Sequence, residues 1–195
     1  MNDRKNIRLM MRRKRRQLSQ QKQKIAALKI ARILQRDKIF VRSKNIALYL
    51  ANDGEISPHY ILEIARRLKK NCYLPVVSGF PQAKMYFAKY EQGDRLQKNR
   101  FGIYEPRINR PRIAAKWVLN LVLVPLVAFD LLGNRLGMGA GFYDRAFAFK
   151  QKLPTRSPVL IGLAHHFQQV EKLPADSWDI PLDAIATDQS LFFVS

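Results

Sequence analysis

An α/β fold is predicted for this chain by three observations. Short apolar runs alternate with helix-periodic segments along most of its length. A glycine-rich stretch follows directly on an apolar run and precedes a helical segment, which is the strand–loop–helix order of α/β ligand sites. The 195 residues suit one domain, and a chain of that size buries roughly 70 % of its unfolded surface without disulfides or a structural metal. The expectation is a single Rossmann-like domain over residues 1–195. It has three α/β/α layers, a mostly parallel (mixed) central sheet, and basic N-terminal helices (residues 1–44) packed on it.

The elements follow in order. Residues 4–17 read as a basic helix in which Ile7, Met10, Met11 and Leu18 give a partial apolar stripe. Ser19 is placed to cap a second helix, whose Ile25, Leu28 and Ile33 recur at helical spacing. A buried strand over 46–50 ends at the turn signal Asn52-Asp53-Gly54. Ser57 as cap and Pro58 at the first helical position open a helix to about Lys70. Residues 72–77 and 85–88 read as strands. Residues 91–112, with Gly93, Gly102, Pro106 and Pro111, form the longest loop-like stretch, a length usually reserved for function or mobility. A strand within the apolar run 119–129 feeds the glycine loop, and a helix over 142–150 follows. Strands over 159–164, ending at His165-His166, and over 184–187 complete the chain. Ligands of open α/β sheets bind beyond the carboxyl ends of strands, where the 52–55 turn, the glycine loop and the histidine pair would share one rim.

Charge is the most unusual feature of the composition. The formal net charge is +20, and ten of the first 24 residues are Lys or Arg against one acid, Asp3. Such a surface can grip nucleic acid, gather small polyanions, or simply be solvated. No base-reading module and no zinc spacing accompany it, so nucleic acid is not an expected partner. The single cysteine, Cys72, excludes an internal disulfide and reads as a buried thiol in a reducing compartment. The longest apolar run, 121–129, is nine residues and contains Pro125, too short to span a membrane. No apolar core follows the basic N-terminus, so no secretory signal is expected either, and the cytoplasm is the expected location.

Four of the nine glycines fall within residues 129–145. Glycines let a backbone approach an anion closely, and the following helix presents its positive end, so the loop reads as a phosphate cradle. It is not a P-loop, because Phe142-Tyr143-Asp144 stands where Gly-Lys-Ser/Thr is required. Nor is it a dinucleotide fingerprint, because Phe142 occupies the place of the third glycine, which argues against a Rossmann oxidoreductase. The competing reading is a turn whose glycines serve geometry alone.

Residues 125–145, PLVAFDLLGNRLGMGAGFYDR, resemble the 5-formyltetrahydrofolate cyclo-ligase (methenyltetrahydrofolate synthetase) family almost residue for residue. Similar anchors are Arg15-Arg16-x-Leu18-Ser19, Tyr49-Leu50 with Glu55-Ile56, residues 101–106 (FGIYEP) and residues 181–187 (PLDAIAT), in family order across nearly the whole chain. The resemblance implies ATP- and Mg²⁺-dependent cyclisation of 5-formyltetrahydrofolate to 5,10-methenyltetrahydrofolate, releasing ADP and phosphate through a phosphorylated formyl group. It implies a monomer with these small-molecule substrates and no membrane partner.

The family's roles transfer by position. Arg4 and Arg8 match the basic pair that meets the nucleotide phosphates, Arg4 standing where lysine is usual. Arg135, Leu136, Gly137, Met138, Gly139, Ala140, Gly141, Phe142 and Tyr143 match the ATP loop, with Arg135 in the catalytic, charge-neutralising role. Met138 and Ala140 replace basic residues of some members, and Phe142 a frequent tyrosine. Met138 to Tyr143, with Leu50 and Glu55, match substrate-binding positions; Asp144 and Asp183 match the metal-associated acids. His165 and His166, as strand neighbours, would face opposite ways and read as structural. Trp117 and Trp178 read as packing residues.

Overall fold

The computed structural model describes residues 3–78, 84–107, 112–153 and 158–194. Its core is an eight-stranded sheet. Five strands are parallel: β1 (Asn45–Ala47), β2 (Asn71–Ser78), β7 (Leu121–Pro125), β10 (Val159–Ala164) and β11 (Ala184–Thr187). Antiparallel β3 (Lys84–Lys89) and then β6 (Ile113–Ala114) extend one edge, and β12 (Leu191–Phe193) closes the other. The order is β12-β11-β10-β7-β1-β2-β3-β6. From β1 the chain moves outward to β2, then returns to β7 on the opposite side of β1. The crevice beyond the carboxyl ends of β1 and β7 is therefore the topological switch point, where α/β sheets bind ligands.

β7 is flanked on both sides, which explains its unbroken apolar sequence. Successive residues face opposite layers. Leu121 and Leu123 join a cluster with Ala26, Ile30 and Leu34 of α2 (Gln20–Leu34) and Ile61 and Leu62 of α4 (His59–Arg67). Val122 and Val124 join one with Phe87 and with Ala146 and Phe147 of α5 (Phe142–Phe147). The expected three layers are present, and Cys72 is buried among them. Ser19 caps α2 by accepting from the Lys22 N–H.

Several expectations are corrected. The buried face of α2 is Ala26, Ala27, Ile30, Ala31 and Leu34, while Ile25 is exposed, because small alanines let the helix approach α4 and β11 closely. The 91–112 stretch contains a hairpin of β4 (Leu96–Lys98) with β5 (Tyr104–Pro106); strands of three residues carrying Gln97 and Lys98 show no alternation to detect. Pro111 lies outside the described residues. β6 and β12 were not expected. The apolar run 119–129 holds two strands, β7 and β8 (Ala128–Phe129), because the chain leaves the sheet at Leu126 and turns into a hairpin with β9 (Arg135–Leu136). Helix α4 stops short of Lys70, and past α5 the helix tightens to 3₁₀ geometry over Ala148–Gln151.

Helix α1 (Asp3–Arg16) lies across the β8/β9 hairpin. Met11 is buried with Val127, Ala128, Leu136 and Leu173, and Ile7 packs beside it. Met10, expected in the same stripe, is exposed. A short helix α3 (Lys38–Arg42), capped by Asp37, joins α2 to β1.

Candidate active site

The glycine loop starts from a rigid base. Asp130, fully buried, accepts hydrogen bonds from the N–H groups of Leu132 (3.1 Å), Asn134 (3.0 Å) and Leu173 (2.9 Å) and from the Asn134 amide (3.0 Å), which fixes the β8/β9 turn. Gly133 is required there: its φ is +83°, and a Cβ would lie 2.8 Å from the Leu182 carbonyl oxygen. The loop then presents Met138, Gly139 and Ala140 to solvent. Gly141, at φ +62°, turns the chain into α5. Arg8 Nε donates to the Gly137 carbonyl (2.9 Å), and Arg145 donates to the Ala140 carbonyl (2.8 Å) over the Phe142 ring.

Arg4 and Arg8 lie one turn apart on α1, Arg8 against this loop and Arg4 against the 174–179 segment. Arg4 is held by the Pro174 carbonyl, Asp176 (2.7 Å) and Asp179 (2.5 Å). Burial, and then the charge of Arg4, depress the pKa of Arg8, with Asp179 opposing; the three charged groups therefore form one cluster. Arg135 has a side chain only 6 % exposed, and it donates to Asp144 (2.5 Å) and to the Ile180 carbonyl. Asp144 also accepts from the Ile180 N–H (3.2 Å), so Arg135, Asp144 and Ile180 form one unit, with Asp179 immediately before Ile180 in the chain.

The opposite wall is the 50–55 segment that leaves β1. The buried Tyr49 hydroxyl donates to the Ile56 carbonyl (2.6 Å), and the Glu55 carboxylate accepts from the Asn52 N–H (3.0 Å). Leu50 packs half-buried at its base. Burial pushes the Glu55 carboxyl from 4.5 up to about 7, against the Asn52 hydrogen bond and the Arg15 charge. Burial also raises the Tyr143 phenol well above its ordinary range; Glu55 adds to the rise and Arg135 opposes it. Tyr143 thus lies within electrostatic reach of both Glu55 and Arg135. Phe142 meets Phe101 edge to face at 5.6 Å, bringing the β4/β5 hairpin to the same mouth.

Asp183 is not part of this group. It precedes β11, at the amino-terminal end of the parallel strands, where its carboxylate accepts from Leu160 N–H (2.6 Å) and pairs with Lys150 (3.2 Å). The acids that join the Arg4, Arg8 and Arg135 cluster are Asp144, Asp176 and Asp179. The last two were missed in the sequence because 174–180 shows no periodicity and no glycine signal. The other missed residue is Arg15, 0 % exposed, bonded to Asp53 and to Leu126. Its signal was its place four residues after Met11, on the buried face of α1.

The histidines lie past the end of β10 rather than on it. His165 is buried, its ring stacked on Phe167 and its Nε2 3.3 Å from the Gly54 carbonyl; His166 stacks on Phe192. Trp117 and Trp178 are 61 % and 65 % exposed and are not packing residues. Among the described residues no group of three or more His, Cys, Asp or Glu side chains is assembled to hold a metal, and no helix is long and apolar enough to cross a membrane.

Known proteins share this sequence and architecture. Residues 1–188 match the 5-formyltetrahydrofolate cyclo-ligase family. The chain belongs to that family. The 5-formyltetrahydrofolate cyclo-ligase of Escherichia coli K12 is 36 % identical over 94 % of this chain and 99 % of its own length. That of Haemophilus influenzae is 43 % identical over 72 % of this chain and 74 % of its own. The solved 5,10-methenyltetrahydrofolate synthetase of Aquifex aeolicus superposes with a TM-score of 0.81 at 30 % identity, covering 98 % of this chain and 92 % of that one. The protein is a ligase of the cyclo-ligase family, and the α/β architecture is the one its solved relatives share.

Proposed function

We propose that this protein cyclises 5-formyltetrahydrofolate to 5,10-methenyltetrahydrofolate with consumption of ATP, at the crevice between the 50–55 segment and the glycine loop. The observation that carries this reading is the glycine loop at the switch point of the sheet, with Arg8 bound to the Gly137 carbonyl and Arg135 fixed by Asp144. Family membership supports ATP as co-substrate. We read residues 1–195 as one domain, the helices of 1–44 completing the nucleotide side, acting as a monomer in the cytoplasm.

The formyl oxygen of an amide is a poor leaving group, and the neighbouring folate nitrogen is a weak nucleophile. Transfer of the γ-phosphoryl group to that oxygen gives an imidate-like phosphate and ADP. The second nitrogen then attacks the formyl carbon and loses its proton, and the C–O bond breaks to release phosphate as the ring closes. The protein's work is positioning and charge stabilisation. Arg4 and Arg8 and the loop 135–143 meet the phosphates. Arg135, its guanidinium fixed by Asp144 and Ile180, retains free N–H donors for charge developing on the transferred group. Glu55 accepts hydrogen bonds from the pterin N–H edge, Leu50 supports the ring, and Phe142 and Tyr143 supply aromatic surface.

The residues present fit Mg²⁺, which takes one or two carboxylates and otherwise phosphate oxygens and water. Asp144, which accepts from the Ile180 N–H, and Asp179, the residue before Ile180, would hold it, and Asp183 would not. Its chemistry there would be neutralisation of phosphate charge.

Substrate carrying ¹⁸O in the formyl group tests the intermediate. The reading predicts one ADP and one phosphate per methenyl product, with the label recovered in phosphate. Label released as water would overturn it.

A further inference from the structure

The carboxyl-terminal half of α1 is bound to the Asn52–Glu55 turn by more charge than its burial requires. Asp53 accepts from Arg12 (2.7 Å), Arg15 (2.9 Å) and Arg16 (2.5 Å), three arginines from one helix on one carboxylate. Arg15 is the fully enclosed member. Its Nε donates to the Asp53 carbonyl (3.0 Å), and its second terminal nitrogen reaches the Leu126 carbonyl at the end of β7 (3.1 Å). One guanidinium therefore ties α1 to the Asn52–Glu55 turn and to the chain leaving β7. The turn is seated on the helix backbone as well: Asp53 holds φ at +52°, and a Cβ on Gly54 would lie 3.1 Å from the Arg15 carbonyl oxygen. Glu55 follows one residue later.

The amino-terminal half of the same helix carries Arg4 and Arg8. Arg8 and Arg15 are seven residues apart, about 10 Å along a rigid helix. Between them the apolar anchorage is slight, Met11 with Ile7 alongside, so ionic contacts at the two ends position the helix. At the first end those contacts have a competitor. Asp176, Asp179 and the Pro174 carbonyl hold Arg4, and a phosphate chain would compete with them for the guanidinium.

We infer that Arg15 and Asp53 form a latch through which nucleotide binding at the start of α1 positions the folate-binding turn at its end. This rests on the reading of Arg4 and Arg8 as nucleotide contacts and of Glu55 as a folate contact. Arg15 is a positioning residue: it touches neither ligand. When phosphates take Arg4 from Asp176 and Asp179 and reseat the start of α1, the latch carries that shift to Asp53 and sets Glu55 against the pterin. Coupling between two ligands is reciprocal, so each should tighten the other's binding by the same factor.

The test is a pair of equilibrium titrations on the intact protein. 5-Formyltetrahydrofolate is titrated with and without the imido analogue of ATP, which resists phosphoryl transfer, and the ratio of the two dissociation constants is the coupling factor. Wild type should give at least about fivefold. Asp53→Asn removes the charge but keeps a residue that tolerates positive φ, and should bring the factor below about twofold while each ligand alone binds within about threefold of wild type. Arg15→Lys keeps the charge but loses the fork that reaches three acceptors at once, and should do the same. If Asp53→Asn fails to fold, Arg15→Lys carries the test. Retention of wild-type coupling in a folded variant overturns the latch. Independent binding of the two ligands to wild type also overturns it, leaving the functional reading intact. Wild type that binds neither ligand overturns both.

Discussion

Burial of Glu55 beside Tyr143 moves its carboxyl from 4.5 to about 7, and two consequences follow. Between those values the folded chain holds a proton that the unfolded chain has released. Stability therefore falls as pH rises through this window, and the loss is complete above about 7. Thermal unfolding of Glu55→Gln should lack this slope. The second consequence is functional: in the proposed folate role the carboxylate is the form that would accept from the pterin, so kcat/KM for 5-formyltetrahydrofolate should rise through pH 7, and that limb should vanish in Glu55→Gln. Arg8 makes a different prediction. Losing its charged contacts in Arg8→Ala should cost roughly 10- to 100-fold in kcat/KM for ATP, checked by steady-state kinetics. Arg4, Arg8 and Glu55 became candidates only through the family resemblance, each at a matching position within a recognisable segment. Arg15 and Asp179 did not, since a lone arginine in a basic helix and an acid in an aperiodic loop look like solvated charge until their partners are seen.

The glycine-rich segment combines two kinds of glycine. Gly133 has a left-handed φ and a carbonyl oxygen where a side chain would go, so Gly133→Ala should destabilise by about 2–3 kcal/mol, seen as a lower Tm. Gly137 has open space and no such φ, so Gly137→Ala should leave Tm nearly unchanged. Gly139 stands apart: its φ of +105° strains any side chain, and the Arg8 guanidinium lies about 4 Å from the Cβ position. Gly139→Val should therefore lower Tm and also weaken binding of the ATP analogue to protein that is still folded, measured by unfolding and titration on the same sample. The strand–loop–helix order of this segment was readable from its composition. Its division into β7, a two-residue β8 and the β9 return was not, because Leu126 and Val127 are as apolar as strand residues. What takes them out of the sheet is tertiary: Gln168 donates to both of their carbonyls, and Arg15 to that of Leu126.

At the scale of the molecule, the alternation of apolar runs and helical segments was enough to predict a mostly parallel sheet between helices. The strand order that makes β1 and β7 the switch point was not, since pairing across the chain leaves no local mark. The order matters because it places the Leu50–Glu55 wall and the glycine loop on either side of one crevice, with α1 reaching across both. The net charge of +20 acquires a use at one point, where basic residues of α1 meet the loop and Asp53. The central claim is that this crevice performs ATP-dependent ring closure. Purified protein, 5-formyltetrahydrofolate and ATP, followed by the absorbance of the methenyl product with and without Mg²⁺, tests it most directly. Product is expected only with both ATP and Mg²⁺, with loss of activity in Asp144→Ala and retention in Asp183→Asn if that variant folds. Folded protein that binds ATP but forms no product, or forms it equally well without ATP, would contradict it.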